Sequence, residues 1–308
     1  MAVQLAFIGL GNMGQAMSKN LVQKGNLEKP LILWNRTLSR ATSLSENIGH
    51  SIVAESFQDA VSRSDIIFSC ISDKQGVRAI IDTVLKGDLK GKLFVECSTV
   101  KPEYIDALVT DVRAAGAELV AMPVFGEPTM AEAGVILCVP AGKAEAVDRI
   151  KPYLIGVICK GIVDFSGEEP SKADLLKVVG NVFVINMIES LAEGHVLAEK
   201  TGLGVGKLQE LLAAMFPGPY MIFSMKMSTG DYYGKEPLVS LDLIQHLADM
   251  TIDMAKESGT SLKTYETAVE HMKTVKSHAG PQGDITGLYG VVRMESGLQY
   301  ENGKRKEI

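Results

Sequence analysis

The chain has 308 residues, of which 46% are hydrophobic and 22% are charged, and its formal net charge is −6. This length allows two domains that each bury a core, and the composition is that of a soluble globular protein. Lys and Arg are scattered along a net negative chain, which argues against a nucleic-acid partner. We find no apolar run of the roughly 18–20 residues that a membrane span requires, and no basic stretch typical of a signal peptide.

The spacing of cysteine and histidine residues indicates neither a disulfide framework nor a metal site. The four cysteines form no Cys-x-x-Cys pair, and the five histidines have no second ligand at metal-binding spacing. We therefore predict no bound metal and a reducing, cytoplasmic environment.

The first half of the chain alternates short apolar runs with amphipathic stretches. The apolar runs, which we predict to be strands, cover residues 3–9, 30–34, 66–71, 93–97, 118–124, 135–140 and 157–165. The helices predicted between them include residues 13–24, 38–47 and 102–115. Several runs are apolar throughout, as strands buried on both faces are. The alternation predicts an α/β domain of the Rossmann type, with a doubly wound and mainly parallel sheet.

After residue 165 the alternation ends and the pattern becomes helical. Residues 170–200 predict one helix about 45 Å long, which is apolar on nearly every side between positions 175 and 191. Such a helix is expected inside an all-helical body or a dimer. Further helices are predicted at residues 206–214, 220–228, 237–256 and 261–277. We place the domain boundary near residue 166, with an α/β domain over 1–166 and an all-helical domain over 167–308, joined by the long helix.

A glycine-rich turn follows the first predicted strand and opens the first predicted helix. It consists of Gly9, Leu10, Gly11, Asn12, Met13 and Gly14. In a dinucleotide-binding turn, Gly9 permits the tight turn, Gly11 lets the pyrophosphate approach the backbone, and Gly14 lets the helix pack on the strand. The helix N-terminus adds N–H donors and positive potential for the phosphates. The six residues therefore predict a dinucleotide site.

The end of the second predicted strand indicates which dinucleotide binds. An NAD enzyme usually has Asp or Glu there to accept hydrogen bonds from the ribose 2′-hydroxyl. This chain has Asn35, Arg36 and Thr37, with Arg40 one helical turn further on. The guanidinium of Arg36 can pair with a 2′-phosphate, and such a charge-assisted hydrogen bond contributes about 1.5–3 kcal/mol. We therefore predict NADP(H) as the cofactor, bound by these four residues together with the glycine turn.

The long helix carries a candidate catalytic pair, Lys177 and Asn181, which are one turn apart and share a face. A lysine in so apolar a helix is costly unless its ammonium reaches a cavity or a partner. In carbonyl reduction, a positioned ammonium stabilises the charge that develops on the oxygen and donates the proton. From the helix alone, a snorkelling lysine at the domain junction is as good an explanation.

Three motifs resemble those of one enzyme family along nearly the whole chain. They are the opening segment 8–14, the segment 96–100 with the sequence Glu-Cys-Ser-Thr-Val, and the Lys-x-x-x-Asn of the long helix. Together they resemble the β-hydroxyacid dehydrogenases, such as the 3-hydroxyisobutyrate dehydrogenases, which have a 6-phosphogluconate dehydrogenase-type NADP-binding domain. The resemblance implies that Lys177 is the general acid/base and that Asn181 contacts the substrate. It also implies that Ile71, Ser72 and Thr99 lie near the nicotinamide, and that the helical domain forms a homodimer or homotetramer.

The candidate substrate loop departs from the pattern of this family, which usually reads Asp-Ala-Pro-Val-Ser-Gly-Gly. The substrate contacts that we carry over are Ser98, Pro123, Val124, Phe125, Gly126 and Glu127. Here Phe125 replaces the serine, and the carboxylate of Glu127 would repel a substrate carboxylate. In the helical domain, His246 stands where family members have a lysine near the nicotinamide, and Gly180 stands where many have an asparagine.

We therefore carry three functional hypotheses. The first is an NADPH-dependent reductase of a small carbonyl or hydroxy compound, with Lys177 as proton donor. The second is an imine reductase on the same fold, because the Asn35–Thr37 segment and Gly230-Asp231-Tyr232 resemble such enzymes and Glu127 would favour an iminium. The Lys177 ammonium argues against it. The third is a non-catalytic NADPH-binding scaffold or sensor, which Lys177 also argues against.

Overall fold

The structure is a computed structural model that describes residues 2–71, 89–237 and 239–303. The chain divides into two compact units, Met1–Lys177 and Val178–Ile308. This division falls inside the long helix, whereas the change in sequence pattern lies near residue 166. Each unit has a core of its own.

The N-terminal unit is an α/β domain. Its strands are β1 (Leu5–Ile8), β2 (Leu31–Trp34), β3 (Ser51–Val53), β4 (Ile66–Ser69), β5 (Leu93–Glu96), β6 (Glu118–Ala121), β7 (Val124–Phe125), β8 (Ile136–Cys138), β9 (Ala141–Gly142), β10 (Cys159–Ile162) and β11 (Phe165–Ser166). Its helices in the described ranges are α1 (Asn12–Lys24), α2 (Leu38–Ile48), α3 (Phe57–Ser62), α4 (Pro102–Ala114), α5 (Pro128–Ala133) and α6 (Ala144–Ile150), with a 3-10 turn at Lys151–Tyr153.

The main sheet has eight strands in the order β11-β9-β6-β5-β4-β1-β2-β3. Neighbouring strands are parallel except for β6 and β9, which are antiparallel. Strand β1 lies between β4 and β2, where the strand order reverses and where ligands bind at the carboxyl ends of such sheets. The prediction of a doubly wound, mainly parallel sheet is confirmed.

Alternating side chains of β1 pack into two different cores, one on each face of the sheet. Leu5 and Phe7 belong to one hydrophobic cluster, and Ala6 and Ile8 belong to the other. This is why the strand is apolar at every position rather than at every second one. Burying a large aliphatic or aromatic side chain contributes about 1.5–3 kcal/mol, so β1 holds both helix layers to the sheet.

A smaller sheet of three strands, in the order β10-β8-β7, lies apart from the ladder of the main sheet. The sequence predicted single strands over 118–124 and 135–140, and both predictions were wrong at their ends. Strand β6 stops at Ala121 before Pro123, and β8 stops at Cys138 before Pro140. Because proline has no N–H to donate to a ladder, each strand ends there and the chain continues in the other sheet.

The second unit is helical, as predicted. Its helices are α7 (Ser171–Lys200), which begins in the first unit, α8 (Val205–Met215), α9 (Pro219–Thr229), α10 (Asp231–Gly234), α11 (Leu241–Glu257), α12 (Lys263–Ala279) and α13 (Leu288–Glu295), with a 3-10 turn at Ile285–Gly287. Helix α11 begins four residues later than predicted, because the Oγ of Ser240 accepts a hydrogen bond from the N–H of Leu243 and caps it.

The sequence predicts that α7 lies inside an all-helical body or a dimer, and in the single chain one apolar face of the helix is exposed. Leu175, Val179 and Phe183 follow one another at intervals of four residues, and their exposed fractions are 44%, 45% and 74%. By length and hydropathy alone, α7 is also long and apolar enough to cross a membrane, whereas the sequence predicts no membrane span. Core helices of soluble proteins share this length and hydropathy.

Candidate active site

The turn between β1 and α1 requires glycine at two positions. Gly9 has a φ of +86°, and a Cβ on it would collide with the carbonyl oxygen of Cys70 at the end of β4. A Cβ on Gly14 would collide with the carbonyl oxygen of Gly9. The first turn of α1 therefore packs against the backbone that leaves β1, as the close helix–strand contact of a dinucleotide site requires.

Gly11 differs from these two glycines because a Cβ on it would meet no protein atom within 4 Å. It is the N-cap residue of α1, and having no side chain it leaves the start of the helix uncovered. Since the N-terminus of a helix carries positive potential, this open space fits the pyrophosphate of a dinucleotide. The residues present therefore fit the cofactor that the sequence predicts.

Asn35 joins the glycine turn to the end of β2. Its Oδ1 accepts a hydrogen bond from the N–H of Leu10 at 2.9 Å, and its Nδ2 donates to the carbonyl oxygen of Thr37 at 3.0 Å. Both sides of its amide are used to hold backbone. The side chains of Arg36, Thr37 and Arg40 are exposed beyond this point, where they can meet the ribose end of a dinucleotide.

A buried carboxyl connects the carboxyl ends of β4 and β5. The Oε2 of Glu96 accepts a hydrogen bond from the Oγ of Ser69 at 2.6 Å, and its Oε1 accepts one from the N–H of Ser98 at 2.7 Å. The Oγ of Ser98 in turn accepts from the N–H of Ile71 at 2.8 Å. Burial raises the pKa of Glu96, and the hydrogen bonds from Ser69 and Ser98 oppose that shift. These bonds fix the chain on both sides of the sequence-predicted residues Ile71 and Ser98.

Lys177 is half-buried on α7. Its Nζ donates a hydrogen bond to the carbonyl oxygen of Val124 at 2.8 Å and stands 4.2 Å from the centre of the Phe125 ring. Desolvation lowers the pKa of Lys177 to about 8, against the opposing charge of Asp174. An amine with such a pKa can exchange a proton near neutral pH, which suits a general acid/base. Lys177 also lies beside the candidate substrate loop, as its predicted role requires.

The other residues of the substrate loop differ in exposure. Pro123 and Val124 are buried, Phe125 and Glu127 are half-buried, and Gly126 is exposed. The Oε1 of Glu127 accepts a hydrogen bond from the Oγ1 of Thr129 at 3.1 Å, within the first turn of α5. The loop thus presents an aromatic ring and a carboxyl where the family pattern has small residues.

The remaining predicted residues are divided between the two units. Asn181 is half-buried one turn beyond Lys177 and belongs to the second unit, and His246 is exposed on α11 of that unit. Thr99 is half-buried next to Ser98. Ser72 lies outside the described residues.

Sequence reasoning missed Asp174, which precedes Lys177 by one turn of α7 and is 1% exposed. Burial raises its pKa well above the usual value, as does the nearby charge of Glu96, whereas the Lys177 ammonium lowers it. Glu96 lies in the segment 96–100 but was not predicted to be a site residue. In both cases a carboxyl within an otherwise apolar segment was the available signal.

The chain matches a known domain family and known proteins along most of its length. Residues 4–162 match the model of the NAD binding domain of 6-phosphogluconate dehydrogenase. The NADH-dependent oxidoreductase ucdB of Aspergillus ustus is 41% identical over 289 residues, which cover 94% of this chain and 98% of that protein.

Two solved structures show the same fold at lower identity. A 3-hydroxyisobutyrate dehydrogenase of Mycobacterium tuberculosis with L-serine superposes with a TM-score of 0.78 at 21% identity, covering 95% of this chain and 100% of that one. A reductive aminase of Aspergillus terreus with NADPH4, cyclohexanone and allyl amine gives 0.55 at 20% identity, with the same coverage.

The fold and the glycine turn define a dinucleotide-binding oxidoreductase, and the prediction of a nicotinamide dinucleotide cofactor is confirmed by the matching domain. Within that class, the chain belongs to the β-hydroxyacid dehydrogenase family. It is an NAD(P)-dependent enzyme, as the sequence analysis predicted.

The two kinds of glycine in the turn give a matched test of the dinucleotide site. Gly14→Ala should destabilise the N-terminal unit by about 1–3 kcal/mol or more, because the new Cβ collides with backbone. Gly11→Ala should leave the melting temperature within a few degrees of wild type and weaken dinucleotide binding at least about tenfold. Thermal unfolding and fluorescence titration of the reduced nicotinamide measure the two effects. A Gly11→Ala variant that binds as tightly as wild type would place the pyrophosphate elsewhere.

Proposed function

We propose that the protein is an NADPH-dependent reductase of a small carbonyl compound, in which Lys177 donates the proton. The observation that carries this proposal is the position of the Lys177 ammonium. It is desolvated, it rests on the Phe125 ring, and it is held by the carbonyl oxygen of Val124 in the substrate loop. A surface lysine would have neither the hydrogen bond to this loop nor a pKa lowered to about 8.

Different residues of the chain bind the cofactor, bind the substrate and donate the proton. When bound, the nicotinamide supplies a hydride to the carbonyl carbon. The glycine turn and the start of α1 bind the pyrophosphate, and the bonds from Glu96 to Ser69 and Ser98 keep the neighbouring strand ends rigid. Lys177 stabilises the negative charge that develops on the oxygen and transfers a proton from Nζ to it. We propose that Asn181 hydrogen-bonds the same substrate from the next turn of α7.

We propose that the cofactor carries a 2′-phosphate, which Arg36 binds with help from Arg40. The end of β2 has no carboxylate to repel that phosphate, and the guanidinium of Arg36 is exposed there. The Aspergillus terreus enzyme of the same fold contains NADPH4, whereas the Aspergillus ustus relative is named NADH-dependent. Binding of NADPH and NADH to the same preparation is therefore the direct test.

Arg36→Gln should raise the Kd for NADPH about 10–100-fold and change the Kd for NADH by less than about threefold, because only the 2′-phosphate contact is lost. Titration of nicotinamide fluorescence gives both constants. The control is Arg63→Gln, since Arg63 is also a surface arginine of this unit but pairs with Asp59. Equal losses for the two cofactors, or no loss, would contradict the role of Arg36.

Lys177→Ala should bind NADPH normally and lower kcat for carbonyl reduction about 10²–10⁴-fold, because the proton donor is removed. In wild type, the reduction rate should fall as the pH rises through about 8, where Lys177 loses its proton. Stopped-flow or steady-state absorbance of NADPH measures both. Lys172→Ala is the matched control, because Lys172 is on the same helix and pairs with Glu168 at the surface. Near-normal turnover in Lys177→Ala would remove Lys177 from the mechanism.

Two observations bear on the class of substrate. The carboxyl of Glu127 lies in the substrate loop, where it disfavours a substrate carboxylate. It would favour a cationic iminium. One solved structure of the same fold is a reductive aminase, so an imine reductase is the alternative function. The ammonium of Lys177 opposes a cationic substrate in the same loop. We therefore propose a neutral carbonyl compound as the preferred substrate.

A panel of 2-keto acids, neutral aldehydes and ketones, and cyclic imines should show the highest kcat/KM for the neutral carbonyls, with NADPH consumption as the measurement. Glu127→Gln should raise kcat/KM for keto acids about tenfold and leave neutral substrates within about twofold, since only the charge is removed. Preference for imines would establish the alternative enzyme. Tight NADPH binding without turnover across the panel would favour the scaffold or sensor.

We further propose that residues 167–308 form the substrate and dimerisation domain, and that a second copy of the chain covers the exposed apolar face of α7. Phe183, at 74% exposure, is the most exposed residue of that face. A homodimer or homotetramer built on it would remove an apolar stripe from water. We propose a cytoplasmic location, in keeping with the four free cysteines, three of which are buried.

A further inference from the structure

Asp174 is a buried carboxyl in the first turn of α7. Neither of its side-chain oxygens has a hydrogen-bond partner among the described residues, and the residue is 1% exposed. The N–H groups of Val100 and of Asp174 itself lie close enough to favour the charged form, but neither has hydrogen-bond geometry to the carboxyl. A buried carboxyl without hydrogen bonds destabilises the folded protein, and a functional role would explain why the chain keeps it.

The helix places this carboxyl next to the candidate proton donor. Asp174 and Lys177 are three residues apart on α7, so they share a face of the helix. An ammonium has three N–H donors, and the described contact of Lys177 Nζ uses one of them on the carbonyl oxygen of Val124. Two donors therefore remain, and one of them can bind a substrate oxygen.

The other titratable groups near Asp174 are Glu96, Cys97 and Lys177. Glu96 on β5 has its own donors in Ser69 and Ser98, which favour its charged form. Cys97 stays neutral, because burial raises its pKa well above the usual value. Within the described ranges, Lys177 is the cation whose charge acts on Asp174. The two groups therefore titrate as a pair.

We propose that Asp174 is a positioning residue for the reduction, whose carboxyl keeps the Lys177 ammonium charged in its desolvated position. This inference rests on the proposed function of Lys177. In the reduction, a bound nicotinamide would supply hydride to the carbonyl carbon, and one Nζ–H bond of Lys177 would break as the O–H bond of the alcohol forms. The amine then takes a proton from water after the alcohol leaves, and the carboxyl of Asp174 favours that uptake.

The sign of the expected pH effect follows from the charges. A carboxylate near an amine favours the protonated amine, so removing it lowers the pKa of Lys177 below its value of about 8. Asp174→Asn should therefore move the alkaline limb of the kcat/KM profile to lower pH by about 1 unit or more. At pH 8.5 reduction should slow about eightfold, and at pH 6 it should remain within about twofold of wild type.

Three variants make the test specific. Asp174→Glu should restore the alkaline limb to within a few tenths of a pH unit, because it restores the carboxyl. Glu168→Gln should leave the limb in place, since Glu168 is an exposed carboxyl near the start of the same helix. If Asp174→Asn does not fold, Asp174→Ala, which removes the buried polar atoms, is measured in the same way. A purely structural role would lower activity equally at all pH values and leave the limb unmoved.

A measurement that needs no turnover separates this inference from the proposed function. Competitive acetylation of Lys177 with acetic anhydride, followed by mass spectrometry of its peptide across pH, gives the pKa of the amine in the apo protein. A lower midpoint in Asp174→Asn, together with the shifted limb, supports the inference. Unchanged midpoints overturn it even if Lys177→Ala is inactive. If Lys177→Ala stays active, the proposed function fails, and the labelling midpoint alone decides whether Asp174 sets the charge of Lys177.

Discussion

The close backbone approach at the end of β1 is the constraint on which the rest of the N-terminal unit depends. Gly9 lies against the carbonyl oxygen of Cys70, and Gly14 lies against that of Gly9, so strand β1, strand β4 and helix α1 meet without side chains between them. This contact brings the start of α1 to the carboxyl edge of the sheet, where its dipole can act on phosphate. The amide of Asn35 then links the same turn to β2. Three strand ends are thereby held around one helix N-terminus.

Hydrogen bonds between buried polar groups connect this edge of the sheet with the candidate active site. Glu96 holds Ser69 and Ser98, and Ser98 holds Ile71, so the end of β5 is tied to the chain leaving β4. These are buried, charge-assisted contacts that cost free energy to desolvate and tolerate little displacement. The charge of Glu96 helps to raise the pKa of Asp174. The charge of Asp174 in turn raises the pKa of Lys177, against the larger effect of desolvation. The hydrogen-bonded strand ends thus hold the titratable groups near the Lys177 amine in place.

The elements with strong local signals could be predicted from the sequence, and those that depend on tertiary contacts could not. The glycine turn, α1, the buried strands and the 30-residue helix α7 follow from periodicity and capping. The split of 118–124 into two sheets depends on where Pro123 falls in a ladder, which a run of apolar residues does not show. Lys177 could be singled out because a lysine is conspicuous in an apolar helix. Asp174 is equally out of place, but its burial beside Glu96 is visible only after folding.

The separation of the two sheets affects how this architecture can diversify in evolution. Strand β7, with Val124 and Phe125, pairs with β8 in the small sheet, whereas the strands around the glycine turn belong to the large one. A substitution in β7 changes the wall beside Lys177 and leaves the register of the large sheet as it is. Preference for a new carbonyl compound can therefore arise while the nucleotide site is inherited unchanged. A change in substrate preference would then involve substitutions at Phe125 and Glu127.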